Sequence, residues 1–168
     1  MKRDADHYIK TLSLEVHPEG GAFREIYRCK DEITDSALPA AFRSGPRNFS
    51  TAIYFLLQSD DFSAFHRIRS DEVWHFYEGD PLEIIEINGK GTLKKTVLGR
   101  LHEEGELYCH VVPAHSWFAS RVIKGGDFAL VGCTVSPGFD FRDFEMADRQ
   151  TLIREFPQHG SIITELTR

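Results

Sequence analysis

The sequence predicts an all-β fold, a sandwich or barrel of short strands with one short helix near each end. Three observations carry this. Strand-like runs follow one another at short intervals, each rich in β-branched or aromatic residues and bounded by Gly, Pro, Asp or Asn. Helical periodicity is confined to two short stretches. No repeat, low-complexity tract or linker interrupts the 168 residues, which suit a single domain spanning 1–168.

The first helix is expected over 4–12, capped by Asp4 or Asp6, with Tyr8, Ile9 and Leu12 as its apolar stripe. His17-Pro18-Glu19-Gly20-Gly21 breaks regular structure and reads as a turn, with His17 capping the loop. Strands are expected near 22–28, 50–57, 62–68, 72–78, 82–87, 92–98, 108–112, 116–121 and 127–135. Asn88-Gly89 followed by Lys90-Gly91, between two of these runs, marks a hairpin. The loop 30–48 is the longest irregular stretch, and Arg43 and Arg47 within it read as a solvated cluster. Pro137-Gly138 is a tight turn into a Phe-rich segment, 139–144, suited to covering a sheet or a partner subunit. The second helix is expected over 146–156, lined by Met146, Leu152, Ile153 and Phe156 and ended by Pro157. Closing or doubling the sheet hides strand edges that would otherwise invite aggregation.

Composition bounds the partners. The chain is 41% hydrophobic and 27% charged, with 13 Phe to fill a barrel interior or an interface. A net charge of −6 argues against a nucleic-acid partner, which a basic face would recognise. The three cysteines form no CxxC pair. Cys109 and Cys133 lie in apolar runs and read as small buried hydrophobes in a reducing, cytoplasmic setting without disulfides. The first ten residues have no apolar signal core, and no run approaches the roughly 20 apolar residues of a membrane span.

The most informative stretch is HRIRSDEVWHFYEG, from His66 to Gly79. It resembles the first cupin motif, His-x-His, three or four residues, Glu, six residues, Gly. His66, Glu72 and Gly79 fit, Ile68 occupies the second His position, and Asp60 stands where the leading Gly would be. Val112-Pro113-Ala114-His115-Ser116-Trp117-Phe118 resembles the second motif. Pro113 matches, while His115 stands at the Gly position and Phe118 at the metal-binding His. HPEGGAFREIYR (17–28), STAIYFLL (50–57), SDEVWHFYEGDPLEI (70–84), VPAHSWFAS (112–120) and TVSPGFDFRDFE (134–145) resemble a branch of single-domain cupins of unknown function. The resemblance implies a cupin double-stranded β-helix, a jelly-roll barrel.

A typical cupin metal site uses three His and one Glu. This chain keeps two of the four positions, so no metal cofactor is expected, and His66 and Glu72 pair with each other or with a ligand. His115 and His75 are poor substitutes. His115 lies in the turn after Pro113, and His75 has the opposite parity to Glu72. Inward parity gives a cavity with His66 and Glu72 as catalytic candidates and Trp74, Phe76 and Phe118 as walls, although barrel interiors also need such residues as filling.

A more distant resemblance is to the dTDP-sugar 3,5-epimerases, metal-independent cupins whose base is a His near the first motif. Their Gly-x-Phe-x-Glu element is similar to Gly21-Ala22-Phe23-Arg24-Glu25, which adds Glu25 to the cavity, with Arg28 to meet an anion. Tyr54, Tyr77 and Tyr108 are candidates for the acid, Tyr54 also for the cavity wall, and Asp127 or Asp140 for the partner that orients His66. The expected function is binding of a small polar metabolite, with metal-independent isomerase or epimerase chemistry on a sugar-like substrate. A non-catalytic binding protein and a metal-dependent enzyme with replaced ligands are the alternatives. A homodimer using segment 22–28 is the expected assembly.

Overall fold

The computed structural model describes residues 4–42 and 45–168. Helix α1 (Ala5–Leu12) opens the fold, and the Asp4 carboxylate caps it by accepting the His7 amide at 2.9 Å. Strands β1 (Glu15–Val16), β2 (Ala22–Arg28), β3 (Glu32–Ile33), β4 (Arg47–Asn48) and β5 (Thr51–Gln58) follow. The chain continues through β6 (Phe62–Arg67), β7 (Asp71–Gly79), β8 (Leu82–Ile87), β9 (Leu93–Leu98) and β10 (Cys109–Val112). After β11 (Trp117–Val122), β12 (Phe128–Ser136) and β13 (Glu145–Met146), helices α2 (Arg149–Glu155) and α3 (Gly160–Glu165) complete it.

Two antiparallel sheets form the barrel. A six-stranded sheet has the order β1-β2-β5-β12-β7-β10, and a five-stranded sheet the order β13-β6-β11-β8-β9. Jumps such as β5 to β12 to β7 are the crossovers of a jelly roll. Each long strand falls within a residue or two of its expected range. Four two-residue strands and α3 were not expected, because so short a segment carries no period. Loop 30–48 contains one such pair, β3 against β4. Met146 pairs with His66 across β13 and β6, so the second helix begins only at Arg149, capped by Asp148.

Strand β8 (LEIIEI) shows how the layers are built. Leu82 and Ile84 point between the sheets, into a core with Leu57, Trp74, Phe118 and Val131. Ile85 and Ile87 face outward, beneath Leu152 and Phe156 of the α2 region and Ile163 of α3. Both faces are covered, which is why the strand reads as a near-continuous apolar run. Helix α1 closes the outside of the other sheet, with Tyr8 against Leu56, Phe128 and Leu130. No helix among the described residues is long and apolar enough to cross a membrane.

Two motif positions acquire physical reasons. Gly79 has φ +95°, and a Cβ there would run into the Phe128 carbonyl, so this hairpin needs glycine. His115 adopts φ 66° where the resembling motif has Gly, and its amide donates to the Ile68 carbonyl at 2.9 Å.

Two surface expectations are corrected. Cys109 is exposed on edge strand β10, and only Cys133 is deeply buried. Arg47 is not solvated. Its Nε and Nη2 donate to both Asp143 oxygens at 2.6 and 2.8 Å, and Nη1 donates to the Gly45 and Pro46 carbonyls. A bidentate carboxylate partner and two carbonyls satisfy the buried fork. Arg43 lies outside the described residues.

Candidate functional site

The barrel opens at one end into a cavity of about 280 Å³. The turn at 17–21 folds into this opening because long-range backbone bonds hold it there. The Gly21 amide donates to Asp61 at 2.7 Å, and the Ala64 amide to the Glu19 carbonyl at 2.8 Å. Gly20, at φ +112°, lies where a Cβ would strike the Phe62 carbonyl. His17 and Glu19 are thereby buried beside His66. His17 caps the turn, its Nδ1 accepting the Glu19 amide, and its ring also lines the cavity. It packs edge-on against Phe23 at 4.6 Å and lies among Phe55, Phe141 and Phe144.

The hydrogen bonds assign the imidazole tautomers. His66 Nδ1 lies 2.7 Å from the Ala64 carbonyl, which only accepts, so Nδ1 carries a hydrogen. Its Nε2 is 3.2 Å from Glu19 Oε2. Glu19 Oε1 accepts from Ser63 Oγ at 2.9 Å. His17 Nδ1 accepts the Glu19 amide at 3.3 Å, so in the neutral ring the hydrogen sits on Nε2. Glu72 is beside this group and hydrogen-bonded to the Cys133 thiol.

Burial controls the proton inventory. Desolvation pushes Glu19 up to about 7, against the pull of His17 and the Ser63 bond. Desolvation also raises Glu72 to about 7; His66 opposes this, and the neighbouring Glu19 charge adds to it. His66 and His17 are held below their ordinary value by the same burial, with Glu72 and Glu19 respectively pulling the other way. Two carboxyl groups near neutrality thus flank a buried imidazole. Perturbed groups of this kind concentrate at functional sites.

The Phe-rich segment roofs the cavity instead of covering a sheet. Phe139, Phe141 and Phe144 pack edge to face, with 5.0 Å between the first two rings and 5.9 Å between the last two. The roof is fastened at several points. The Phe139 amide donates to Thr51 Oγ1, Ser70 Oγ to the Pro137 carbonyl, and Arg47 clamps Asp143 from below. Arg28 at the mouth donates to both Glu25 oxygens at 3.0 and 2.7 Å, to Asn48 and to the Phe139 carbonyl.

His66, Glu72 and Glu25 line the cavity, with Arg28 and Asp140. The other expected wall residues do not. Trp74, Phe76 and Phe118 have inward parity but lie deeper in the barrel, within the apolar core. Phe118 meets the His66 ring from below at 4.0 Å. Tyr54 points to the outer face of its sheet, edge-on to Tyr77, because Thr51, Ile53 and Phe55 take the inward positions of β5. Tyr108 is exposed. His66 is oriented by the Ala64 carbonyl and not by Asp127 or Asp140. His17 and Glu19 had no periodic signal. Their only trace in the sequence is a His and a Glu bracketing a proline in a glycine-rich turn.

The residues do not fit a cupin metal centre. Ile68 lines the cavity and Phe118 is sealed in the core, so two of the four ligand positions carry side chains that cannot ligate. Among the described residues no three His, Cys, Asp or Glu are arranged to hold a metal ion. Elsewhere, His110 Nε2 pairs with Glu86 at 2.6 Å between the two sheets, away from the cavity lining.

Comparison with known proteins agrees with this architecture. A protein of known structure from Shewanella oneidensis is 38% identical, with 99% of each chain covered and a TM-score of 0.89. A hypothetical protein from Leishmania major is 33% identical, with 98% of each chain covered and a TM-score of 0.88. Oxalate decarboxylase from Bacillus subtilis shares the fold at 14% identity and a TM-score of 0.54, covering 91% of this chain and 37% of that one. No curated protein matches the chain. The model of the family described as Cupin superfamily (DUF985) matches residues 6–147, and the chain belongs to that family.

Proposed function

We propose that the open end of the barrel binds a small polar metabolite and moves a proton on it without a metal, as an isomerase does. The single observation that supports this is the Glu19–His66–Glu72 group at the floor of an aromatic cavity, where two carboxyl groups near pH 7 flank a neutral imidazole. Isomerisation needs one group to take a proton while another gives one. Glu72 accepts the proton from a carbon beside a carbonyl, and the C–H electron pair becomes the enol double bond. The proton held between Glu19 and His66 passes to the carbonyl oxygen. Reversal with the roles exchanged returns a proton to the second carbon. No oxidant is consumed and the proton count is unchanged.

The test is a thermal-shift screen of small hydroxy-carbonyl compounds, followed by incubation of each ligand in D₂O. Solvent deuterium appearing at the carbon beside the carbonyl, and lost in His66→Ala and Glu72→Gln, supports proton transfer. A ligand that depends on both residues yet never exchanges is held by a non-catalytic binding protein. We also propose a homodimer through β2, whose Ile26 and Tyr27 are 46% and 52% exposed. Light scattering giving the mass of a monomer at micromolar concentration would contradict it.

A further inference from the structure

Resting on the reading that this cavity holds a ligand, we infer that the ligand carries a protonated amine, seated between phenyl faces and carboxylates. The wall chemistry points there. Five phenylalanines line the cavity, among them Phe23, Phe55 and the three of the roof. Among the described residues, four carboxyl groups share that lining with a single guanidinium. Aromatic faces carry negative quadrupole potential, and a cage of them with a carboxylate is how proteins hold ammonium groups.

The one lining cation among the described residues is already committed. Arg28 spends its fork on Glu25, Asn48 and the Phe139 carbonyl. Asp140 is bound by Arg142, which holds its carboxyl well below the usual carboxylate range and keeps it ionised. The buried imidazoles are uncharged near neutral pH, because desolvation disfavours their protonation. An anionic ligand such as a sugar diphosphate would meet a net negative wall with no uncommitted cationic fork among the described residues to receive it. An ammonium would meet Glu72 and Glu19 at the floor, where desolvation strengthens attraction to a cation.

Three probes of one shape separate the possibilities: benzylamine, benzyl alcohol and benzoate, titrated into the intact protein at pH 7.5 by calorimetry. Histidine side-chain NMR locates each at His17 and His66. Benzylamine should bind at least about tenfold more tightly than benzyl alcohol, and benzoate more weakly than either. Glu72→Gln, or Glu19→Gln should that variant fail to fold, should bring benzylamine to within about threefold of the alcohol. Benzyl alcohol or benzoate binding in the cavity as tightly as benzylamine would overturn the amine and leave the ligand site standing. Benzylamine binding without moving either histidine would place the amine elsewhere and overturn it too. No probe moving either histidine would overturn the amine and the cavity reading together.

Discussion

Strand β7 crosses from one kind of interior to another. Glu72, near its start, lines the cavity; Trp74 and Phe76, two and four residues on, belong to the apolar core. Strand β12 makes the same passage in reverse, from Ala129 and Val131 in the core to Cys133 and Val135 at the cavity. On β5, Thr51, Ile53 and Phe55 face the opening and Leu57 is packed. The packed end is mostly apolar, its Glu86 carboxylate paired with His110, while the open end buries two carboxyl groups and two imidazoles in one group. Burying polar groups costs stability unless they are paired, so the two ends respond to substitution in opposite directions.

The largest effect is expected in the packed end. Phe118→Ala leaves a cavity beneath His66 with no route for collapse, and should cost roughly 3–5 kcal/mol in urea denaturation. Arg47→Met tests the fastening between the ends. It strips both Arg47 hydrogen bonds from the buried Asp143 carboxylate, leaving it Arg69 at 3.6 Å and the Arg142 charge nearby. The expected loss is about 3 kcal/mol, the low end for breaking a buried pair, and the Phe roof should loosen with it, seen as faster amide exchange at 139–144.

The open end should show the reverse sign, set by pH. Glu19 ionises near its usual value in the unfolded chain but at about 7 in the folded one, so the folded state binds the proton more tightly. This group's contribution is present below about pH 4.5 and is lost as pH rises toward 7. His17 and His66, shifted downward, act oppositely and lose stability as pH falls below 6.5. Glu19→Gln removes the first effect and, with the Glu19 charge gone, also lets His17 and Glu72 move downward. It should stabilise the protein by roughly 2 kcal/mol at pH 8 and far less at pH 5, measured by urea melts at the two values. A loss at both would mean that the carboxylate holds the floor together. The smallest effect is expected at Tyr54→Phe on the outer face, within about 0.5 kcal/mol and with no change in ligand binding.

The sequence made one half of this comparison legible and hid the other. The alternation in 72–78 placed Glu72, Trp74 and Phe76 on one inward face, and the motif spacing singled out His66. Parity reports which way a side chain points and not how deep along the barrel it lies, so cavity and core residues looked alike until the sheets closed. His17 and Glu19 were illegible for a different reason. Their position depends on bonds from the 17–21 turn to Asp61 and Ala64, forty or more residues away. Arg47 was misread because its partner, Asp143, is still more remote, 96 residues on in sequence.

The most direct measurement of the open end is the imidazole state of His66, read from two-bond ¹H–¹⁵N spectra between pH 5 and pH 9. The geometry predicts hydrogen on Nδ1 at pH 8, protonation only below 6.5, and a second inflection near 7 that shrinks in Glu19→Gln and vanishes only when Glu72→Gln is added. A ring with hydrogen on Nε2, or one titrating at 6.5 or above with no response to Glu19→Gln, would contradict a proton held between Glu19 and His66.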